Sequence, residues 1–186
     1  MNSKKILTKE VLQVLGLGAL VVASAAMPGL PKALIEIHKS FRDVNRKDFG
    51  RIIHRLSNQK MLSITENEGK FKVEITEKGK RRLLEYDFEN ISLKSQKRDG
   101  KWRLIIFDIP ERNKSSREVF RKKLNELGFL RLQDSVFVSA FPCKNEIDFL
   151  CNFLGISDYV SLVKLDKIER GEELIFKKFP DFDDFP

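Results

Sequence analysis

Lys47, Arg51, His54 and Asn58 recur at steps of three and four residues, the spacing that lines side chains along one face of an α-helix. Phe49, Ile52, Ile53 and Leu56 follow the same period on the other side. One face is therefore apolar, and the opposite face is a row of cations and hydrogen-bond donors. A helix of that make-up has the width and the chemistry to enter the major groove of duplex DNA. Arg46 and Arg55 would then stand near phosphates, which position a protein without reading sequence. Lys70 and Lys72, a short distance downstream, would reach the flanking backbone in the same way. The plainer alternative is a solvated face on a module that binds protein.

Other reactive residues are sparse. His38 and His54 stand outside any Cys-x-x-Cys or His-x-x-x-His pattern, so a structural zinc site is not expected. Cys143 and Cys151 are the only cysteines. They fall near or within one predicted helix, too far apart to pair there, and read as reduced, half-buried thiols of a cytoplasmic protein. Asp108 stands at the exit of an apolar run and precedes Ile109-Pro110. A carboxylate in that place caps the following turn.

The composition supports a folded chain with an acidic partner. Of 186 residues, 41% are hydrophobic and 33% charged with both signs present, which argues against disorder. Net charge is +8, a balance that favours a polyanion. The run from Val11 to Leu30 carries no formal charge and is about as long as a bilayer is thick. It follows Lys4, Lys5 and Lys9 but is diluted by Gln13, Gly16, Gly18, Ser24, Pro28 and Gly29. A buried first helix is the expectation, with a membrane anchor the lesser alternative.

These residues need elements to hold them. A helix is predicted from Thr8 to about Ala26, ended by Pro28-Gly29. A second runs from Pro31 to about Ser40 and a third from Asn45 to Gln59. Strands Met61 to Glu66 and Lys70 to Thr76 flank the turn Asn67-Glu68-Gly69. Helix, helix, helix and hairpin over residues 1–88 is the order of a winged helix-turn-helix. Thr76-Glu77-Lys78-Gly79 then leads into the basic Lys80-Arg81-Arg82. Residues 89–100 are polar and read as a linker.

Beyond the linker the period changes. Trp102 to Ile109 is a predicted strand. Ser115 to Leu127 is a helix with a capping box at Ser115 and Glu118, stopped by Gly128. Phe129 to Gln133 and Ser135 to Ala140 are strands, Asn145 to Leu154 is a helix, and Tyr159 to Leu165 is a strand. The order βαββαβ predicts a ferredoxin-like domain over 101–180, and the fold class is α+β. Leu174 to Phe179 would add an edge strand, and 181–186 form an acidic tail. Arg112, Lys114, Arg117, Arg121, Lys122 and Lys123 make the first helix of this domain basic. The first strand is apolar on both sides, so one sheet face packs on the helices and the other needs cover. A homodimer through 101–180 would supply it.

Two stretches carry a family resemblance. Lys101-Trp102-Arg103-Leu104-Ile105-Ile106-Phe107-Asp108-Ile109-Pro110-Glu111 is one. The other runs from Leu127-Gly128-Phe129 through Gln133-Asp134-Ser135-Val136-Phe137-Val138. Together they resemble the central domain of the PaaX-type transcriptional repressors, which in turn is similar to CRISPR-associated protein two. The resemblance covers about residues 100–170 and implies a DNA-binding repressor whose N-terminal module is the winged helix. It also implies a second reading. The matching Asp of the CRISPR subunit is the one proposed to hold a divalent metal with its twin across a dimer. Asp108 could then hold Mg²⁺ or Mn²⁺ as the catalytic residue of a phosphodiesterase, with Glu111 and Asp134 as candidate helpers. The repressors carry a further C-terminal domain, for which this chain has no room, so their effector sensing, acyl-coenzyme A included, is not carried over.

Overall fold

A computed structural model describes residues 3–16, 20–23, 46–67, 70–95, 97–168, 175 and 177–179. The chain divides into two compact units, Met1–Glu89 and Asn90–Pro186.

The first unit opens with helix α1, Ser3–Gly16, followed by strand β1, Leu20–Ala23. Helix α2 spans Arg46–Asn58, strands β2 and β3 span Leu62–Asn67 and Lys70–Ile75, and helix α3 spans Glu77–Glu89. Strands β2 and β3 pair antiparallel, and β1 pairs antiparallel with the other edge of β3, so the sheet order is β1-β3-β2. The core gathers Val11, Leu12 and Leu15 of α1, Phe49, Ile52, Ile53 and Leu56 of α2, and Leu62, Val73 and Tyr86. The apolar face expected of the third helix is thus its buried face.

One expectation here needs correction. The long first helix does not run to Ala26: it ends at Gly16, and Leu20–Ala23 is a strand. Glycine at 16 and 18 weakens a helix, while the β-branched Val21 and Val22 suit a strand, and the free edge of β3 supplies the partner. The predicted helix from Pro31 to Ser40 lies outside the described residues.

A tight junction joins α2, β2 and α3. Lys60 takes a left-handed conformation, φ 57°, and the Met61 carbonyl accepts from Thr76 N at 3.0 Å. Thr76 caps α3: its Oγ1 donates to the Lys60 carbonyl at 2.7 Å and accepts from Gly79 N at 3.2 Å. A Cβ on Gly79 would lie 2.3 Å from the Met61 carbonyl oxygen and 2.6 Å from Ile75 Cγ1. Only glycine fits that approach of helix to turn.

The second unit contains β4 (Trp102–Phe107), α4 (Lys114–Glu126), β5 (Leu130–Gln133), β6 (Val136–Ser139), α5 (Lys144–Leu154) and β7 (Val160–Leu165). All neighbouring strands are antiparallel, in the order β5-β6-β4-β7. The element order and strand order agree with a ferredoxin-like βαββαβ sheet. Arg103, Ile105 and Phe107 point to the helix side, where Phe107 meets Phe120 of α4 edge-on at 5.4 Å. Helix α5 lies alongside α4, with Ser116 Oγ donating to the Leu154 carbonyl at 3.3 Å.

Trp102, Leu104 and Ile106 point to the second face. There Trp102, Val138, Ala140, Ile175 and Phe179 form a core of their own. The chain thus covers part of this face itself, while Ile106 stays 40% exposed. The expected edge strand near Phe179 is instead a helical turn, closed by Phe179 N donating to the Ile175 carbonyl at 2.8 Å. Ile175 and Phe179, four apart, land together on the sheet.

Smaller differences have local causes. Helix α4 begins at Lys114 behind a short 3-10 turn, Glu111–Asn113, and Asn113 is its N-cap without a side-chain capping bond. The capping box at Ser115 and Glu118 therefore does not form; Glu118 pairs instead with Arg121 at 3.0 Å. Phe153, expected inward, is 37% exposed and stands against Phe149, with 6.1 Å between ring centroids. The stretch expected as a linker falls, from Asn90 onward, within the second unit.

Candidate nucleic-acid interface

Burial of Phe49, Ile52, Ile53 and Leu56 forces the opposite side of α2 outward. Arg51, His54, Arg55 and Asn58 are all exposed. His54 and Asn58, one turn apart, are joined at 3.2 Å between the Asn58 amide nitrogen and His54 Nδ1. Arg55 also ties α2 to α1, its Nη2 donating to Thr8 Oγ1 at 2.5 Å. Arg46 and Lys47 occupy the first turn of α2, and Lys70 opens β3; their side chains lie outside the described residues. Lys72 is exposed but paired with Glu74 at 2.8 Å, which tempers its charge.

The basic stretch that opens α3 is partly compensated. Lys80 pairs with Glu77 at 2.6 Å and Arg82 with Glu85 at 2.5 Å. The Arg82 guanidinium also covers the Tyr86 ring at 4.3 Å. Helix α4 is compensated more fully. Arg117 pairs with Glu111 at 2.7 Å, Arg121 with Glu118 at 3.0 Å and Lys123 with Glu126 at 2.8 Å. Spacing alone does not reveal these pairs, because the i,i+3 pairs depend on rotamers as well and Arg117 reaches six residues back to Glu111, outside the helix.

Asp108 is exposed at the end of β4, with its backbone N–H donating to the Tyr159 carbonyl at 3.0 Å. Its candidate helpers are engaged elsewhere. Glu111 is held by Arg117 and, at 3.3 Å, by Lys114. Their hydrogen bonds keep its carboxyl below the ordinary carboxylate range. Asp134 is bonded to Arg131. Among the described residues no three His, Cys, Asp or Glu side chains group as a metal site. Cys143 and Cys151 are free and buried. Burial pushes their thiols up to about 12 and about 11, too high for useful thiolate near neutrality.

Lys60 adds a cation that the sequence does not single out. It is exposed at the junction between α2 and β2, and no periodicity marks it because it lies in a turn. Among the described residues no helix is long and apolar enough to cross a membrane.

The comparisons bear on the second unit. No curated protein matches the chain. A family model described as the PaaX protein central Cas2-like domain matches residues 95–174, the span that holds the whole β5-β6-β4-β7 sheet. Residues 95–174 are therefore similar to the PaaX-type central Cas2-like domain.

Proposed function

We propose that the chain is a cytoplasmic DNA-binding transcriptional regulator, a repressor, whose first unit is a winged helix and which pairs as a homodimer through its Cas2-like domain. The observation that carries this reading is helix α2. Its apolar face is buried, and its outward face holds Arg51, His54, Arg55 and Asn58 directly ahead of the β2–β3 hairpin. Helix, strand, helix and hairpin, with β1 on the free edge of β3, is an arrangement that lets one helix enter a major groove and the hairpin touch the flanking backbone. The PaaX-type domain and the net charge of +8 support the same partner. In this reading Arg51, His54, Asn58 and Lys47 face base edges. Arg46, Arg55, Lys70 and Lys72 approach phosphates.

The test is selection of duplexes from a random pool by the full chain, followed by gel shift at moderate salt. A preferred duplex is expected, and Arg51→Ala should cost about 1–3 kcal/mol of specific binding with little loss on unrelated duplex. Failure to enrich any duplex, or an equal loss on every sequence, would remove α2 as the reading element. The alternative of a Mg²⁺- or Mn²⁺-dependent nuclease built on Asp108 is the weaker one, since its carboxylate helpers are already paired with Arg117, Lys114 and Arg131.

A further inference from the structure

Lys60 stands directly behind α2 in a left-handed conformation, φ 57°, which residues with a Cβ rarely adopt. Two backbone bonds close the helix around it. Lys60 N donates to the Ser57 carbonyl at 2.8 Å, and Met61 N donates to the Leu56 carbonyl at 2.9 Å. This is the Schellman ending of a helix, whose left-handed position is usually glycine. Glycine takes that conformation freely, whereas the Cβ of a lysine crowds a carbonyl oxygen. The surroundings enforce the conformation here. Thr76 Oγ1 donates to the Lys60 carbonyl at 2.7 Å, and Thr76 N donates to the Met61 carbonyl at 3.0 Å. Thr76 in turn caps α3, so the turn cannot relax without loosening the whole junction.

Residues held in such conformations by their surroundings gather at ligand sites. The fold makes little use of this side chain. Lys60 is exposed, and among the described residues no carboxylate pairs with it. Several other cations of the first unit are neutralised: Lys9 by Asp87, Lys72 by Glu74, Lys80 by Glu77 and Arg82 by Glu85. A cation behind a helix does gain from the helix dipole, but at an exposed end that gain is smaller than the cost of the left-handed backbone. Lys60 thus keeps its charge at a fixed point. It lies two residues beyond Asn58, the end of α2, and two before Leu62, the start of β2. These are the two elements proposed to meet a duplex.

We propose that Lys60 is a phosphate-binding residue: its ammonium contacts a backbone phosphate of duplex DNA beside the groove that α2 enters, and the left-handed turn fixes where it stands. The proposal rests on the reading of α2 as the helix that meets DNA. Lysine serves a phosphate as a compact point charge with three donors. A contact of this kind positions the protein on the duplex without reading its sequence. Glycine in its place would ease the backbone and leave the phosphate without a partner. Stability and binding should therefore move in opposite directions, which a purely structural lysine would not produce.

The experiment compares the full chain with Lys60→Gly and Lys60→Arg. Each is titrated with a duplex recovered by selection and with an unrelated duplex of equal length. Each is also titrated with copies of the selected duplex in which one phosphate at a time is replaced by a neutral methylphosphonate. Lys60→Gly is expected to bind both natural duplexes roughly tenfold more weakly. Its urea midpoint is expected to equal or exceed the parent's, because glycine relieves the turn. Lys60→Arg, which keeps the charge, is expected to retain most of the affinity. At one phosphate, the methylphosphonate that weakens the parent should leave Lys60→Gly unchanged, the coupling that marks a direct contact. Parent affinity in Lys60→Gly would overturn the proposal. So would a loss confined to the selected duplex, or a lowered urea midpoint, which would make the side chain structural. If Lys60→Gly binds as the parent does while Arg51→Ala loses the selected duplex, this proposal falls and the reading of α2 stands. A parent that binds neither duplex overturns both.

Discussion

Asp99 shows how much one carboxylate can be tuned by its surroundings. Arg103 is buried on the helix side of the sheet, and such a cation is tolerable only when its hydrogen bonds are met. The bonds to Asp99 and to the Lys101 carbonyl, at 2.7 Å, meet them. Arg103, with help from Lys164 at 3.5 Å, holds the Asp99 carboxyl far below the usual carboxylate range. A depressed folded value means that this pair stabilises fully above the unfolded value of about 3.9 and weakens as pH falls below it. Thermal melts of the full chain should therefore lose stability progressively below about pH 4. Asp99→Asn should lower the midpoint at neutral pH and flatten that acid limb. An unaltered acid limb in Asp99→Asn would assign the loss to other carboxylates. The chemistry of this residue is invisible in the sequence, where Asp99 falls in the polar stretch that reads as a linker.

Among elements, legibility follows periodicity. The face of α2 and its partition into core and surface can be read off Phe49, Ile52, Ile53 and Leu56, because a 3.6-residue period sustained along a whole helix has few alternatives. The strands of the second unit are equally plain from Trp102 to Phe107 and from Val160 to Leu165. The first apolar run is not. Val11 to Leu30 has no charge to mark a face, and a strand at Leu20–Ala23 exists only because β3, much later in the chain, offers an edge. The turn at Ile175–Phe179 is hidden for a similar reason, since Ile175 and Phe179 gain meaning only on the sheet. The α2–β2–α3 junction offers a prediction of its own. Gly79→Ala pushes a methyl group into the Met61 carbonyl, a backbone atom that cannot swing aside. We expect about 2 kcal/mol or more of destabilisation, measured by urea unfolding followed through far-ultraviolet circular dichroism. Gly50, where an added Cβ would meet nothing within 4 Å, is the control: Gly50→Ala should be neutral or mildly stabilising. Equal effects of the two would mean that helix propensity, rather than the close approach, governs Gly79.

For the molecule as a whole, the sheet of the second unit poses the question of assembly. Part of its second face is covered from within by Ile175 and Phe179, which leaves a smaller apolar area around Ile106 than the first strand alone suggests. A proposed two-fold contact must use that remainder. Light scattering at micromolar concentration should give twice the chain mass of 21.6 kDa, and Ile106→Lys should shift the chain toward the single mass. A chain that stays at 21.6 kDa, or an Ile106→Lys chain that pairs as before, would move the interface off this face. The sequence shows the apolar face but not its internal cover, because what lies over a sheet is decided by chain segments with no period in common with it.

The ion pairs along α4 have a consequence in salt. A cation already neutralised by Glu111, Glu118 or Glu126 has little need of a phosphate and displaces few condensed ions when duplex approaches. Each phosphate truly engaged contributes about 0.9 to the slope of log affinity against log salt. A titration from dilute to physiological ionic strength therefore counts the cations that touch the duplex. On the α2 reading the slope should fall when Arg46 or Lys70 is removed and stay put when Arg117 or Lys123 is. A slope carried by α4 would place the polyanion on the second unit, with its own carboxylates as the competing anions that must first let go.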